Sequence, residues 1–123
     1  FLKVKNVIHN NLKKLNKKHK NVFIYGVGHH SIIFINLMRI KKYIKFGIDE
    51  NKFKQNLFMP GSKIKIKKPE HLYKENCAKS LCLTSLGKKS LDKIKKNEEI
   101  KKNKIKFISI YPYQKINSIY KNI

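Results

Sequence analysis

The sequence predicts a three-layer α/β domain with a mostly parallel five-stranded sheet, and three observations carry that prediction. The apolar run Val22-Phe23-Ile24-Tyr25 breaks directly into Gly26 and Gly28 and then into a helix-like segment. Short strand-type runs recur further along, alternating with helical or turn segments. The 123 residues suit one domain with its own core and are too few for two. Where a strand ends in glycine and a helix opens, free N–H groups and the positive end of the helix dipole point at an anion such as a diphosphate.

The elements follow in chain order. Residues 2–19 place Val4, Val7, Ile8, Leu12 and Leu15 at helical spacing with lysines and asparagines opposite, an amphipathic leading helix. The strand at 22–25 and its glycine turn come next, and Ser31 to Ile40 reads as a nearly all-apolar helix packed on the sheet. Tyr43 to Ile48 is a second strand closed by Asp49. A polar stretch from Glu50 to Gln55 and the turn at Pro60-Gly61-Ser62 precede a short third strand at Lys63 to Ile66. Pro69 to Tyr73 fits a short helix, Ser80 to Ser85 a fourth strand, Lys88 to Asn103 a charged helix and Ile105 to Ile110 a fifth strand. Right-handed crossovers between such units give the strand order 3-2-1-4-5 of a Rossmann-like sheet. Residues 1–110 then form one domain, and 111–123, with Tyr111, Pro112, Tyr113 and Tyr120, form a tail that packs back on the sheet or onto a partner.

Composition narrows the function. The formal charge is +23, from 30 basic against 7 acidic side chains, yet Arg39 is the one arginine. Proteins that read phosphates or bases lean on arginine's planar fork, and these lysines are scattered among Asn and Ile as an AT-biased genome would produce. Nucleic-acid binding is therefore disfavoured against a solvated lysine surface. Cys77 and Cys82 fit a reduced thiol pair and a cytoplasmic setting. No Cys/His spacing matches a zinc site, and no apolar run approaches the roughly 18 residues of a membrane span. The chain opens at Phe1 without a signal-peptide pattern, which reads as a fragment of a longer protein.

Tyr25-Gly26 after an apolar strand, Asp49 closing the next, Lys54-Gln55, Pro60-Gly61-Ser62 with Ile64 and Ile66, and Pro69-Glu70-His71-Leu72 together resemble the C-terminal domain of sugar-nucleotide C-methyltransferases over roughly residues 1–75. His30 and Ser31 stand where that family usually carries Lys-Gly, and Thr84-Ser85-Leu86-Gly87 where it tends to carry Trp-Asn. Such enzymes methylate a sugar carbon of a thymidine-diphosphate sugar with S-adenosylmethionine. The resemblance implies that the donor site and the catalytic residues lie in a preceding domain. This chain would then bind no cofactor of its own and no catalytic residue would fall within it. Its expected partners are a nucleotide-diphosphate sugar and a catalytic methyltransferase domain.

The candidate ligand residues are Tyr25, Gly26, Gly28, His29, His30, Asp49 and Gln55. Gly26 and Gly28 allow close approach of a diphosphate or simply make the tight turn. A neutral His29 or His30 at the helix start can donate to phosphate, or stay a surface residue. Asp49 meets a ribose or base, or caps its strand end, while Gln55 offers an amide to a ligand's polar edge. The third glycine of the dinucleotide fingerprint is missing, since Ser31 occupies that place, which disfavours a standard NAD enzyme. The competing reading is a scaffold or oligomerisation domain whose core has lost its ligand.

Overall fold

The computed structural model describes residues 1–112 and 118–121; Tyr113 of the predicted tail lies outside the described residues. The elements are α1 (Leu2–Lys18), β1 (Val22–Tyr25), α2 (His29–Met38), β2 (Phe46–Ile48), β3 (Ile66–Lys67), β4 (Leu81–Thr84), α3 (Lys88–Lys95), α4 (Glu98–Lys102) and β5 (Lys106–Ser109). The strands form one sheet in the order β3-β2-β1-β4-β5 with every pairing parallel. Tyr25 stands opposite Ile48 on one side and Thr84 on the other, so β1, β2 and β4 end level at one edge.

Alternation along the strands sorts side chains onto two buried faces, as a sheet covered on both sides requires. Val22, Ile24, Leu81, Leu83 and Ile108 meet Ile8, Leu12 and Leu15 of α1 and Phe34, Ile35 and Met38 of α2. On the opposite face Phe23, Tyr25, Cys82 and Phe107 meet Leu72, Leu91 of α3 and Ile100 of α4. Each side chain fully removed from water contributes about 1.5–3 kcal/mol of transfer free energy, and these two clusters hold the layers together. Cys77 and Cys82 are free thiols inside the second cluster.

The structure differs from the predicted elements in four places, each with a local cause. First, α2 begins at His29 rather than Ser31, because extended Gly28 takes the N-cap position. Second, β3 sits at Ile66–Lys67 rather than 63–66, since Ile64 accepts from the Met59 amide and Lys65 bridges Phe58 antiparallel in a small hairpin. Third, the predicted helix at 88–103 is two helices, because the Asn97 side chain caps α4 by accepting from the amides of Glu99 and Ile100 at 2.8 and 3.2 Å. Last, β2 spans Phe46–Ile48 rather than 43–48, because Lys41–Tyr43 winds into a 3₁₀ turn in which the Tyr43 and Ile44 amides donate to the carbonyls of Ile40 and Lys41. The described part of the tail returns to the domain: Ser118 bridges Ser109, and buried Asn11 of α1 donates to the carbonyls of Ile119 and Lys121 at 2.6 and 2.9 Å.

A 3₁₀ turn at Pro69–Tyr73 lays His71 edge-on against Phe46 and Phe23, with ring centroids 5.1 and 6.3 Å away. Burial, with the ammonium groups of Lys74, Lys67 and Lys45 nearby, holds its pKa below the ordinary 6.5. The unfolded chain takes up this proton at higher pH than the folded chain. The resulting stability is present above about 6.5 and is lost as pH falls through the lower folded value. Denaturant unfolding between about pH 7.5 and about pH 5 should therefore show His71→Gln losing less stability than the parent protein. Parallel losses in the two proteins would contradict the assignment.

Candidate functional site

Four of the predicted ligand residues, Tyr25, Gly26, Asp49 and Gln55, come together through their backbones at the level ends of β1 and β2. Tyr25 ends β1, and Gly26 turns the chain at φ +88°, a conformation open to glycine and strained for residues with a Cβ. Val27 follows, with its peptide held on both sides. Its amide donates to Asp49 Oδ2 at 2.7 Å, and its carbonyl accepts from Lys54 Nζ at 2.8 Å. Asp49 Oδ1 accepts from the Asn51 amide at 2.8 Å, and Gln55 Nε2 donates to the Asp49 carbonyl at 2.9 Å. Gly47 makes room for this arrangement, since a Cβ there would lie 2.9 Å from Val27 Cγ2.

A second set of bonds closes the seam between β1 and β4. Buried Thr84 donates through Oγ1 to the Tyr25 carbonyl at 2.9 Å and accepts from the Leu86 amide at 3.1 Å. Ser31 Oγ donates to the Gly26 carbonyl at 2.7 Å and lies 3.1 Å from Ser85 Oγ. These hydroxyls fix where α2 starts relative to the sheet. The next amides, those of Gly28, His29 and His30, meet no acceptor among the described residues. A Cβ on Gly28 would find nothing within 4 Å, so the approach to them is open. Unmatched donors and the helix dipole make this corner attractive to an anion.

The side chains of Tyr25, His29, His30 and Gln55 diverge from this point. The Tyr25 ring lies under the opposite face of the sheet, its hydroxyl donating to Glu50 Oε1 at 3.3 Å. Burial, with that carboxylate beside it, holds the Tyr25 phenol well above its usual range, so it remains a neutral hydroxyl. His29 is exposed and lines a groove of about 400 Å³ with Gly28, Ile32, Lys54, Leu57 and Phe58. His30 turns aside against the Tyr111 ring, 5.8 Å away. Gln55 borders a smaller cavity of about 310 Å³ with Lys67, His71 and Lys74.

Sequence reasoning missed a further cavity of about 390 Å³ under Tyr25, beside α3. Its α3 wall carries Ser90, Lys93 and Ile94, a three-to-four-residue spacing that marks one helical face and could have been read in advance, and Asn97, the cap of α4, continues it. The exposed side chains Phe53, Leu57 and Phe58 were also missed, because a single-sequence reading of 50–60 registers only a polar loop and a turn. Among the described residues no cluster of His, Cys, Asp and Glu could hold a metal ion, and no helix is long and apolar enough to cross a membrane.

Comparison with known proteins places the chain in a family. A family model described as the C-methyltransferase C-terminal domain matches residues 1–112. No curated protein matches the chain.

Replacing Asp49 by Ala removes the acceptor for the buried Val27 amide and for the exposed Asn51 amide. An orphaned buried amide costs about 1–3 kcal/mol, whereas the exposed one regains water. Asp49→Ala should lower unfolding free energy by about 1–3 kcal/mol in denaturant titration, with Asp49→Asn falling between. A variant within a few tenths of a kcal/mol of the parent would show that the carboxylate does not hold the corner.

Proposed function

The chain belongs to the C-methyltransferase C-terminal domain family, and from that membership we propose that it binds a nucleotide-diphosphate sugar and supplies recognition, while a partner domain supplies the chemistry. The observation that carries the proposal is the row of unmatched amides at Gly28, His29 and His30 beside a fixed carboxylate. The diphosphate lies against those amides, where the dipole of α2 favours negative charge. The exposed His29 imidazole adds a donor. Asp49 keeps lone pairs beyond the two it gives to Val27 and Asn51, and the Gln55 carbonyl oxygen also remains an acceptor. Both suit ribose hydroxyls or a base edge.

Transfer of a methyl group in this family draws on S-adenosylmethionine. A corner of N–H donors flanked by Lys54 does not suit a sulfonium cation, so the donor is assigned to the catalytic partner domain. The exposed apolar side chains Phe53 (91 % exposed), Leu57 and Phe58, held on a hydrogen-bonded loop next to the corner, suit contact with such a domain. The buried, reduced thiols fit a cytoplasmic protein.

The test is calorimetry with a thymidine-diphosphate sugar, NAD and S-adenosylmethionine, on the parent chain and on Gly28→Asp. An Asp side chain has room at position 28 and is a favoured N-cap, so the variant keeps its fold while placing a carboxylate on the anion site. Binding of the nucleotide sugar should weaken about tenfold or more, equivalent to about 1.4 kcal/mol. No heat from the nucleotide sugar, or equal affinity in Gly28→Asp, would refute the proposal.

A further inference from the structure

The cavity beneath Tyr25 has no role in the binding described so far, yet it shares a wall with the amide corner. Tyr25 lines it and is joined directly to Gly26. Leu86 lines it too, and lies 3.5 Å from where a Gly26 Cβ would stand. A ligand held at Gly28 thus needs to cross only the end of β1 to enter it.

Its lining has the chemistry of a hydroxyl-rich ring. Pro69, Leu86 and Ile94 give an apolar floor, and Tyr25, Tyr73, Glu50, Ser90 and Lys93 give a polar surround. Asn97 Nδ2 donates to the Tyr73 hydroxyl at 3.0 Å, which leaves the Tyr73 hydrogen to donate onward. The Tyr25 hydroxyl donates to one oxygen of Glu50, which leaves the other as an acceptor. Ser90 both donates and accepts. One carboxylate and one ammonium balance each other, so the cavity does not select an anion as the corner does. Alternating donors and acceptors around an apolar floor match the equatorial hydroxyls and C–H face of a sugar.

Resting on the nucleotide-sugar reading above, we infer that this cavity takes the glycosyl end of the ligand, with the diphosphate crossing the end of β1 from the amide corner. The exposed Ser90 and Lys93 leave the bound ring open on one side to an approaching domain.

The experiment compares thymidine diphosphate with thymidine-diphosphate glucose on the full chain, on Ser90→Trp, which fills the cavity from an exposed helical position, and on Tyr73→Phe, which removes one hydroxyl and keeps the ring. The parent should bind the sugar conjugate about fivefold or more tighter than the bare diphosphate. Ser90→Trp should abolish that margin while leaving thymidine diphosphate within about twofold of the parent, and Tyr73→Phe should narrow it. Equal affinity for the two probes in the parent, or an unchanged margin in both variants, would overturn the inference while leaving diphosphate binding intact. Failure of both probes to bind would overturn it together with the reading on which it rests.

Discussion

The Asp49 carboxylate is the constraint on which the candidate site depends. One oxygen takes the amide that follows the glycine turn of β1, and the other takes the amide that leaves β2. Two adjacent parallel strands are thereby tied at their ends by one side chain, in addition to the backbone ladder that pairs them. Because Asp49 satisfies Val27 and goes no further, the following three amides are held in place and left open. A short acid at the end of the second strand therefore does the work of a turn residue and shapes the candidate corner in the same act.

The β1–β4 seam supports that corner from the other side. Thr84 and Ser31 are buried hydroxyls, and each satisfies a backbone carbonyl that a purely apolar seam would strand. Their bonds fix the start of α2 to within a hydrogen bond of the strand ends. Rigidity of this kind suits the recognition role proposed above, because a preformed site avoids the ordering cost of binding. The surrounding charge acts at longer range. With +23 net charges and, among the described residues, ion pairs only at the exposed Lys88–Asp92 and Lys101–Glu98, the surface draws anions without selecting among them. In the function proposed above, selection falls to the corner and its neighbouring cavities.

The alternating apolar runs made the strand order legible, because a parallel sheet covered on both faces demands continuous apolar strands such as Val22–Tyr25 and Leu81–Thr84. The break in the last helix was less legible. Periodicity runs smoothly through Ile94 and Ile100, and only the capping preference of Asn97 separates α3 from α4. The same limit applies to β3, where the alternation of Ile64 and Ile66 is shared between a hairpin bridge and the sheet. Near the candidate site, the turn positions of Gly26 and Gly28 and the strand-end position of Asp49 were legible because backbone geometry sets them. The cavity under Tyr25 was not, since it gathers Glu50, Tyr73 and Ser90 from three separate segments that only the fold brings together.

The central claim is that the carboxylate clamp leaves the first amides of α2 free to hold an anion. Backbone amide NMR during titration with thymidine-diphosphate glucose tests it most directly. The expected result is that Gly28, His29 and His30 show the largest shifts while the Val27 amide, retained by Asp49, stays protected from hydrogen exchange. Shifts confined to scattered surface lysines, with those three amides unmoved, would contradict it.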